Sequence, residues 1–287
     1  MENLTVLFYT NENHLPIVNL AINEFNKYFK DVNVKKILST NYFSNPFNLP
    51  FEDFEVINTE VQYNSESRHF AKVMYKALEY VKTKYVLFLL DDMFIINPVK
   101  KNNLESILSF MDGENIDHMS LMSYGHDWKI YQMDYSKYNL PNDYIFEMPI
   151  SYVYALSTQP SIWKTESLRE IFKHNQDMTI WEYDTTNVKN MRGEKRHGDN
   201  GTGHIDTSPD FWDYGFKHCC FKRYFENTPY PFDDRPMDGD YFLFLWVDVI
   251  TKGKFSLNRH QNCRFFLNDY LEKNNITNEH VIYGKYL

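Results

Sequence analysis

The sequence predicts an α/β domain in which helices flank a mostly parallel central sheet. Three observations support this prediction: a β-loop-α unit opens the chain, an amphipathic helix leads directly into a later strand, and that strand is an unbroken apolar run. In the first unit, the apolar residues 4–9 indicate a strand and the polar residues 10–14 a turn. Pro16 then lies where the first turn of a helix tolerates proline.

The clearest helix of the sequence is expected over residues 70–81. Apolar residues recur there at helical spacing and so share one face; they are Phe70, Val73, Met74, Ala77, Leu78 and Val81. The run Tyr85–Leu90 follows and shows no alternation of polar and apolar residues. A strand of this kind is typical of the middle of a parallel sheet, where both faces are buried.

The remaining elements follow from shorter patterns. Further strands are expected over 34–38, near 54–57, and over 118–123, 144–147 and 152–157. Asn97 and Pro98 predict the cap and the first residue of another helix, and Thr165 opens a helix that runs to His174. The polar, Gly-rich stretch 192–213 predicts either a mobile loop or a lid over a ligand.

Composition and charge exclude several classes of protein. The 287 residues are 43% hydrophobic, which is too apolar for a disordered chain. The 30 Lys and Arg are outnumbered by 39 Asp and Glu, giving a net charge of −9, and no basic block is present, so nucleic acid is not expected as a partner. We expect one domain over residues 1–257 with a small C-terminal appendage over residues 258–287.

The same sequence predicts a cytoplasmic protein. Its three cysteines, Cys219, Cys220 and Cys263, form neither a disulfide framework nor a CxxC zinc spacing. The N-terminal residues do not have the pattern of a signal peptide, so none is expected. The apolar runs are far shorter than the roughly 18 residues that span a bilayer, so no transmembrane segment is expected. His197, His204 and His218 crowd the region of the paired cysteines, but their spacing fits no zinc finger and favours a polar loop.

Two adjacent acids, Asp91 and Asp92, follow the apolar run directly. In open α/β sheets, ligands bind beyond the carboxyl ends of the strands, and the polar turn 10–14 is expected at the same edge. Carboxylate oxygens suit Mg²⁺ or Mn²⁺, which take one or two carboxylates and complete their shell with phosphate and water. This placement favours a ligand site over a solvated acidic turn. The second acidic pattern, Asp238-Gly-Asp240, precedes an apolar stretch and favours a turn.

The order of several segments adds a family resemblance. These segments are the β1-loop-helix start, KYVLFLLDDMFI, STQPSIWKTESLREIF, TIWEYD and VDVITKGKF, spread over residues 4–257. Together they resemble glycosyltransferases of the GT-A fold, which is Rossmann-like, and among these the inverting, family-2-like transferases of capsule or surface polysaccharide found in bacteria and large DNA viruses. The family motif has an acid, any residue and a second acid, whereas Met93 stands third here.

The resemblance implies a site for a UDP- or GDP-sugar. It places Asp91 near the ribose or the metal and makes Asp92 a ligand of Mn²⁺ or Mg²⁺, with His260 as a further candidate ligand. It places Thr10, Asn11 and Asn13 in the nucleotide pocket, and Arg68 against the base or the diphosphate. It implies that the acceptor is a glycan or a lipid-linked acceptor.

An inverting transfer also needs one base for the acceptor hydroxyl. Glu182 and Asp184 alternate in the WEYD segment, so both side chains lie on one face of an extended chain; Glu182 is the first choice and Asp184 its competitor. By resemblance, Gln159 shapes the sugar and acceptor site. Trp163 and Trp181 offer flat apolar faces for a sugar ring, although either can equally be a core residue.

Two other functions stay open at this point. A nucleotidyltransferase also joins an α/β nucleotide site to acidic metal ligands, but TNENHLP after the first strand lacks the Gly-rich, basic loop of that class. A carbohydrate-binding protein without catalysis would use the many aromatic residues as stacking platforms. Within the transferase hypothesis, retention of the anomeric configuration is the alternative to inversion.

Overall fold

The computed structural model describes fifteen stretches of the chain. They are residues 1–10, 15–41, 51, 53–61, 70–91, 93–95, 99–124, 145–147, 160–174, 218–222, 246–248, 250–251, 254–256, 272 and 281–282. Their helices are α1 (Leu15–Tyr28), α2 (Phe70–Leu78), α3 (Lys101–Gly113) and α4 (Thr165–His174). Their strands are β1 (Leu4–Thr10), β2 (Lys35–Thr40), β3 (Glu55–Asn58), β4 (Tyr85–Leu90), β5 (Met93–Ile95), β6 (His118–Tyr124), β7 (Ile145–Glu147), β8 (Ser161–Lys164), β9 (His218–Lys222), β10 (Trp246–Asp248), β11 (Ile250–Thr251), β12 (Lys254–Ser256) and β13 (Val281–Ile282).

Eight of these strands form one sheet in the order β3-β2-β1-β4-β8-β6-β9-β7. The pairs along β3-β2-β1-β4 are all parallel, as is β6-β9. Strands β8 and β7 run against their neighbours. The predicted α/β class with a mostly parallel sheet flanked by helices is therefore confirmed.

Strand β4 has the double burial that its apolar run predicts. Tyr85, Leu87 and Leu89 pack in one hydrophobic cluster with residues of α1 and α3, whereas Val86 and Phe88 pack in a second cluster with residues of α2 and α4. Helices therefore cover both faces of the sheet, as in other parallel α/β proteins. One neighbour of β4 differs from expectation, because β8 lies beside it antiparallel.

Strand β8 was not predicted from the sequence. Ser161–Lys164 was expected only as the approach to the following helix, yet it pairs with β4 on one side and β6 on the other. Only four residues form the strand, and α4 begins at the next residue, so no alternation long enough to recognise is present. The helix itself, Thr165–His174, has the predicted bounds.

Other boundaries shift for physical reasons. Helix α3 begins at Lys101, not at Pro98, because the backbone of Lys100 is extended, with φ −83° and ψ 112°. Helix α2 ends at Leu78, and the N–H groups of the next three residues donate three positions back, as often occurs where a helix tightens at its end.

The paired cysteines lie in a strand instead of the expected polar loop. His218, Cys219 and Cys220 belong to β9, which pairs with β6 and β7. The strand expected over 152–157 and the loop or lid expected over 192–213 lie outside the described residues. So does Asp238-Gly-Asp240.

The remaining described strands form two small sheets that are separate from the eight-stranded sheet. Strand β10 pairs with β5, the strand that follows the paired acids, so that Asp248 is in register with Met93. Strand β12 pairs with β11 and with β13, which joins residues 281–282 of the expected appendage to residues 254–256 of the domain. The boundary at residue 257 stays a prediction. No described helix has the length and apolarity needed to cross a bilayer.

Candidate functional site at the carboxyl ends of β1, β2 and β4

The candidate site lies where the parallel strands β1 and β4 end side by side. Tyr9 is in register with Leu90, and the N–H of Asp91 donates to the carbonyl of Tyr9 at 3.1 Å. This backbone bond places Asp91 directly beside Thr10, the last residue of β1. The two strands are adjacent because apolar residues of both pack into the same two clusters.

Thr10 and Asp91 also bond through their side chains. The Thr10 hydroxyl Oγ1 donates to Oδ2 of Asp91 at 2.6 Å, and the residues are 0% and 4% exposed. A hydrogen bond to a buried carboxylate is stronger than one between neutral groups and fixes the direction of the carboxylate. The structure therefore brings together two of the predicted site residues and shows Thr10 as a partner of Asp91.

The neighbouring strand β2 ends in polar residues that the sequence analysis missed. Ser39, Thr40 and Asn41 are 0%, 0% and 4% exposed. In each, one buried atom has no hydrogen-bond partner among the described residues: Ser39 Oγ, Thr40 Oγ1 and Asn41 Oδ1. Thr40 is in register with Thr10, so these residues extend the edge formed by Thr10 and Asp91. The available signal was a polar triplet after the apolar Ile37-Leu38, the same signal that pointed to Asp91.

The backbone at Thr40 and Asn41 is held by Thr59, the residue that follows strand β3. The N–H and the hydroxyl of Thr59 donate to the carbonyl of Thr40 at 3.0 and 2.9 Å, and the hydroxyl reaches the carbonyl of Asn41 at 3.3 Å. Lys76 Nζ in turn donates to the carbonyl of Thr59 at 3.1 Å. The edge is therefore a fixed surface at the ends of three strands.

Trp163 does not belong to this edge, and the expected contact of its ring with a sugar is corrected. The residue is 2% exposed, its Nε1 donates to Ser161 Oγ at 2.9 Å, and its ring stacks on His118 with centroids 3.9 Å apart. Because β8 lies between β4 and β6, the ring is enclosed in the cluster with α2 and α4. Trp163 is the core residue that the alternative interpretation described.

The other predicted site residues lie outside the described part of the chain. They are Asn11, Asn13, Arg68, Asp92, Gln159, Trp181, Glu182, Asp184 and His260. Their roles stay predictions.

The described carboxylate suits a hard divalent cation by its chemistry. Asp91 supplies oxygen, the ligand atom that Mg²⁺ and Mn²⁺ prefer, and the bond from Thr10 presets its orientation. Among residues with described side chains, no three His, Cys, Asp or Glu come together as a metal site. Asp91 is the described residue of this edge that could contribute a ligand to such an ion.

The groups with shifted pKa values at the start of β4 lie at the opposite edge of the sheet. Burial raises the pKa of Tyr85, and the hydrogen bond from its hydroxyl to Asp112 at 2.6 Å adds to the shift. Hydrogen bonds from Lys84 and Tyr85 lower the pKa of Asp112. These residues tie the start of β4 to the end of α3 and have a structural role.

Comparison with known proteins gives no family. No family model matches the sequence, and no curated protein matches it. Among solved structures, residues 1–349 of S. aureus TarS are 18% identical with a TM-score of 0.40, over 58% of this chain and 48% of that chain. The chain thus spans about half the length of that structure.

Two further solved structures show likenesses of the same order. The galactosyltransferase LgtC, in complex with donor and acceptor sugar analogs, is 13% identical with a TM-score of 0.35, over 69% of this chain and 68% of that chain. The mannosyltransferase PcManGT from Pyrobaculum calidifontis, in complex with GDP-Man and Mn²⁺, is 10% identical with a TM-score of 0.36, over 60% and 46%. Scores this low establish no common fold.

Proposed function

We propose that the chain is a GT-A glycosyltransferase that moves a sugar from a UDP- or GDP-sugar to a glycan or lipid-linked acceptor. The observation that carries this proposal is the buried pair Thr10 and Asp91 at the adjoining carboxyl ends of β1 and β4. Ligands of open α/β sheets bind at this edge. Asp91 is also the first acid of the LLDD segment on which the resemblance rests.

In this proposal, the residues at the ends of β1 and β4 and in the segments that follow bind the donor. Asp91, oriented by Thr10, binds the ribose or the metal, and Asp92 binds Mn²⁺ or Mg²⁺. A divalent cation, when bound there, offsets the charge of the departing diphosphate. Asn11, Asn13 and Arg68 complete the nucleotide pocket.

The acceptor side rests on a segment further along the chain. Glu182, or Asp184 as its competitor, accepts the proton of the acceptor hydroxyl as that oxygen attacks the anomeric carbon from the face opposite the diphosphate, which gives inversion. Gln159 and Trp181 shape the place of the sugar and the acceptor. Trp163 is left out because of its burial.

The test is a screen of UDP- and GDP-sugars with Mn²⁺, measuring release of the free nucleoside diphosphate with and without candidate glycan acceptors. We expect turnover of at least one donor by the wild type and none by Asp92→Asn. Asp31→Asn, an exposed acid in the turn before β2, is the matched control and should keep full turnover.

Three results would contradict the proposal. A folded wild type that turns over no donor removes the enzymatic function, whereas an Asp92→Asn variant with unchanged turnover removes the role of Asp92 as a metal ligand. Glycan binding that survives Asp92→Asn without any turnover points to a carbohydrate-binding protein instead. The anomer of the product, assigned by NMR, decides between inversion and retention.

A further inference from the structure

The chain turns sharply where β3 ends, and this turn carries backbone strain. Glu60 has a φ of 57°, in the left-handed region that residues other than glycine rarely occupy. Its side chain is exposed, so burial of that side chain does not offset the strain. Strained residues persist only where the surrounding structure holds them, and they cluster at functional sites. The turn over residues 58–60 is therefore a candidate for a functional role.

Three hydrogen bonds hold the turn in this conformation. Asn58 Oδ1 accepts from the N–H of Glu60 at 3.0 Å, and Nζ of Lys76 on α2 donates to the carbonyl of Thr59 at 3.1 Å. The N–H of Thr59 donates to the carbonyl of Thr40 at 3.0 Å. The peptide groups on both sides of Thr59 are thus fixed, and the residue is held against the end of β2.

The turn places the hydroxyl of Thr59 on the last residues of the neighbouring strand. Thr59 is 5% exposed, and its hydroxyl donates to the carbonyl of Thr40 at 2.9 Å and reaches the carbonyl of Asn41 at 3.3 Å. Because β2 ends at Thr40, Asn41 lies beyond the ladder of the strand. The hydroxyl therefore extends the support from β3 one residue past the end of β2.

We propose that Thr59 is a positioning residue for nucleotide binding, an inference that rests on the proposed function. Thr40 is in register with Thr10, so the backbone that Thr59 holds lies one strand away from the bonded pair Thr10 and Asp91. A surface that is rigid before binding raises affinity, because less conformational freedom is lost when the ligand binds. The strain at Glu60 is the cost of bringing the Thr59 hydroxyl onto this surface.

Calorimetry with UDP and with GDP, each in the presence of Mn²⁺, tests the inference. Thr59→Val removes the hydroxyl and nearly keeps the shape of the side chain. The loss of one neutral hydrogen bond corresponds to a dissociation constant about 2- to 12-fold larger, and we expect this weakening for the nucleotide that the wild type binds. Thr59→Ser keeps the hydroxyl and should bind as the wild type does.

Thr83→Val is the matched control for the loss of a hydroxyl. The hydroxyl of Thr83 also donates to a backbone carbonyl, that of Tyr85 at 2.8 Å, but at the start of β4 and so at the opposite edge of the sheet. Thr83→Val should lower the urea concentration at the midpoint of unfolding, as Thr59→Val does. It should leave the dissociation constant of the nucleotide unchanged, which separates positioning from a general loss of stability.

A double variant tests whether the turn itself carries the effect. Lys76→Met removes the ammonium that holds the carbonyl of Thr59 and should also weaken nucleotide binding. Because both changes act through one turn, Lys76→Met combined with Thr59→Val should weaken binding by less than the product of the two single effects. Lys82→Met is the control, because exposed Lys82 also donates to a backbone carbonyl, that of Glu79, away from the site; it should leave binding unchanged.

Three results would overturn the inference. They are a folded Thr59→Val variant that binds the nucleotide as the wild type does, a Thr59→Ser variant as weak as Thr59→Val, and independent effects of Lys76→Met and Thr59→Val. Each of them leaves nucleotide binding by the wild type intact. A folded wild type that binds neither UDP nor GDP overturns the proposed function as well, so the two failures are distinguishable.

Discussion

Replacing Thr10 with valine removes the hydroxyl that donates to Asp91 and keeps nearly the same side-chain shape. The bond is 2.6 Å long and both residues are buried, so water cannot readily replace the lost donor. A hydrogen bond to a charged group contributes about 1.5–3 kcal/mol. If Thr10 orients Asp91 for the donor, the full loss corresponds to a decrease in kcat/KM of about 10- to 150-fold.

The assay is release of nucleoside diphosphate, with kcat and KM determined separately, together with chemical unfolding of each variant. Thr10→Ser keeps the hydroxyl and should recover most of the activity. Thr5→Val is the matched control at the other end of β1, because the buried Thr5 also takes part in a side-chain hydrogen bond, accepting from Thr83 at 2.8 Å. It should lower stability by about 0.5–1.5 kcal/mol and leave kcat/KM unchanged.

Two results would refute this reasoning. A folded Thr10→Val variant with wild-type kcat/KM would show that the orientation of Asp91 does not matter for turnover. A Thr10→Ser variant as impaired as Thr10→Val would show that the effect comes from the methyl group and its packing instead of from the hydrogen bond.

The remaining predictions concern stability and the corrected position of a tryptophan. The raised pKa of Tyr85 keeps its phenol protonated in the folded state above the ordinary value of 10.0. The free energy of unfolding of the wild type should therefore fall above pH 10, by up to about 1.4 kcal/mol per pH unit more than that of Tyr85→Phe. Below pH 10, the stabilities of the two proteins should depend on pH in the same way. Urea unfolding between pH 8 and 11.5 measures both. Trp163→Phe leaves a cavity in the cluster with α2 and α4 and should lower stability by about 1–3 kcal/mol without changing KM for donor or acceptor. A rise in the KM for the acceptor at unchanged stability would instead support a contact between Trp163 and the sugar.

Long or strongly patterned elements of the fold were predictable from the sequence. The apolar run Tyr85–Leu90 gave its strand the correct bounds, because only a central strand buries both faces. The helix Thr165–His174 was equally clear from its opening threonine and first-turn Glu166. Strand β8 was not predictable, because a four-residue strand is too short for a pattern and owes its place to pairing with β4 and β6.

The candidate site was predictable in part for the same reasons. Asp91 and the turn after β1 were expected at one edge because parallel neighbours end together, and Thr10 lies beside Asp91 as that rule requires. The sequence could not show that Thr10 bonds to Asp91 itself, since strand order is set by long-range pairing. It likewise could not separate a buried Trp163 from a sugar-stacking one, because both interpretations use the same apolar ring.

The proposed function requires a nucleotide-sugar to bind at the edge formed by Thr10 and Asp91. Titration calorimetry of the wild type and Asp91→Asn with UDP-sugars, GDP-sugars and Mn²⁺ tests it most directly. Asp91→Asn still accepts the hydrogen bond from Thr10 and removes only the charge. We expect saturable binding of at least one nucleotide-sugar by the wild type and loss of this binding in Asp91→Asn. Binding that is absent from the folded wild type, or unchanged in the variant, would contradict it.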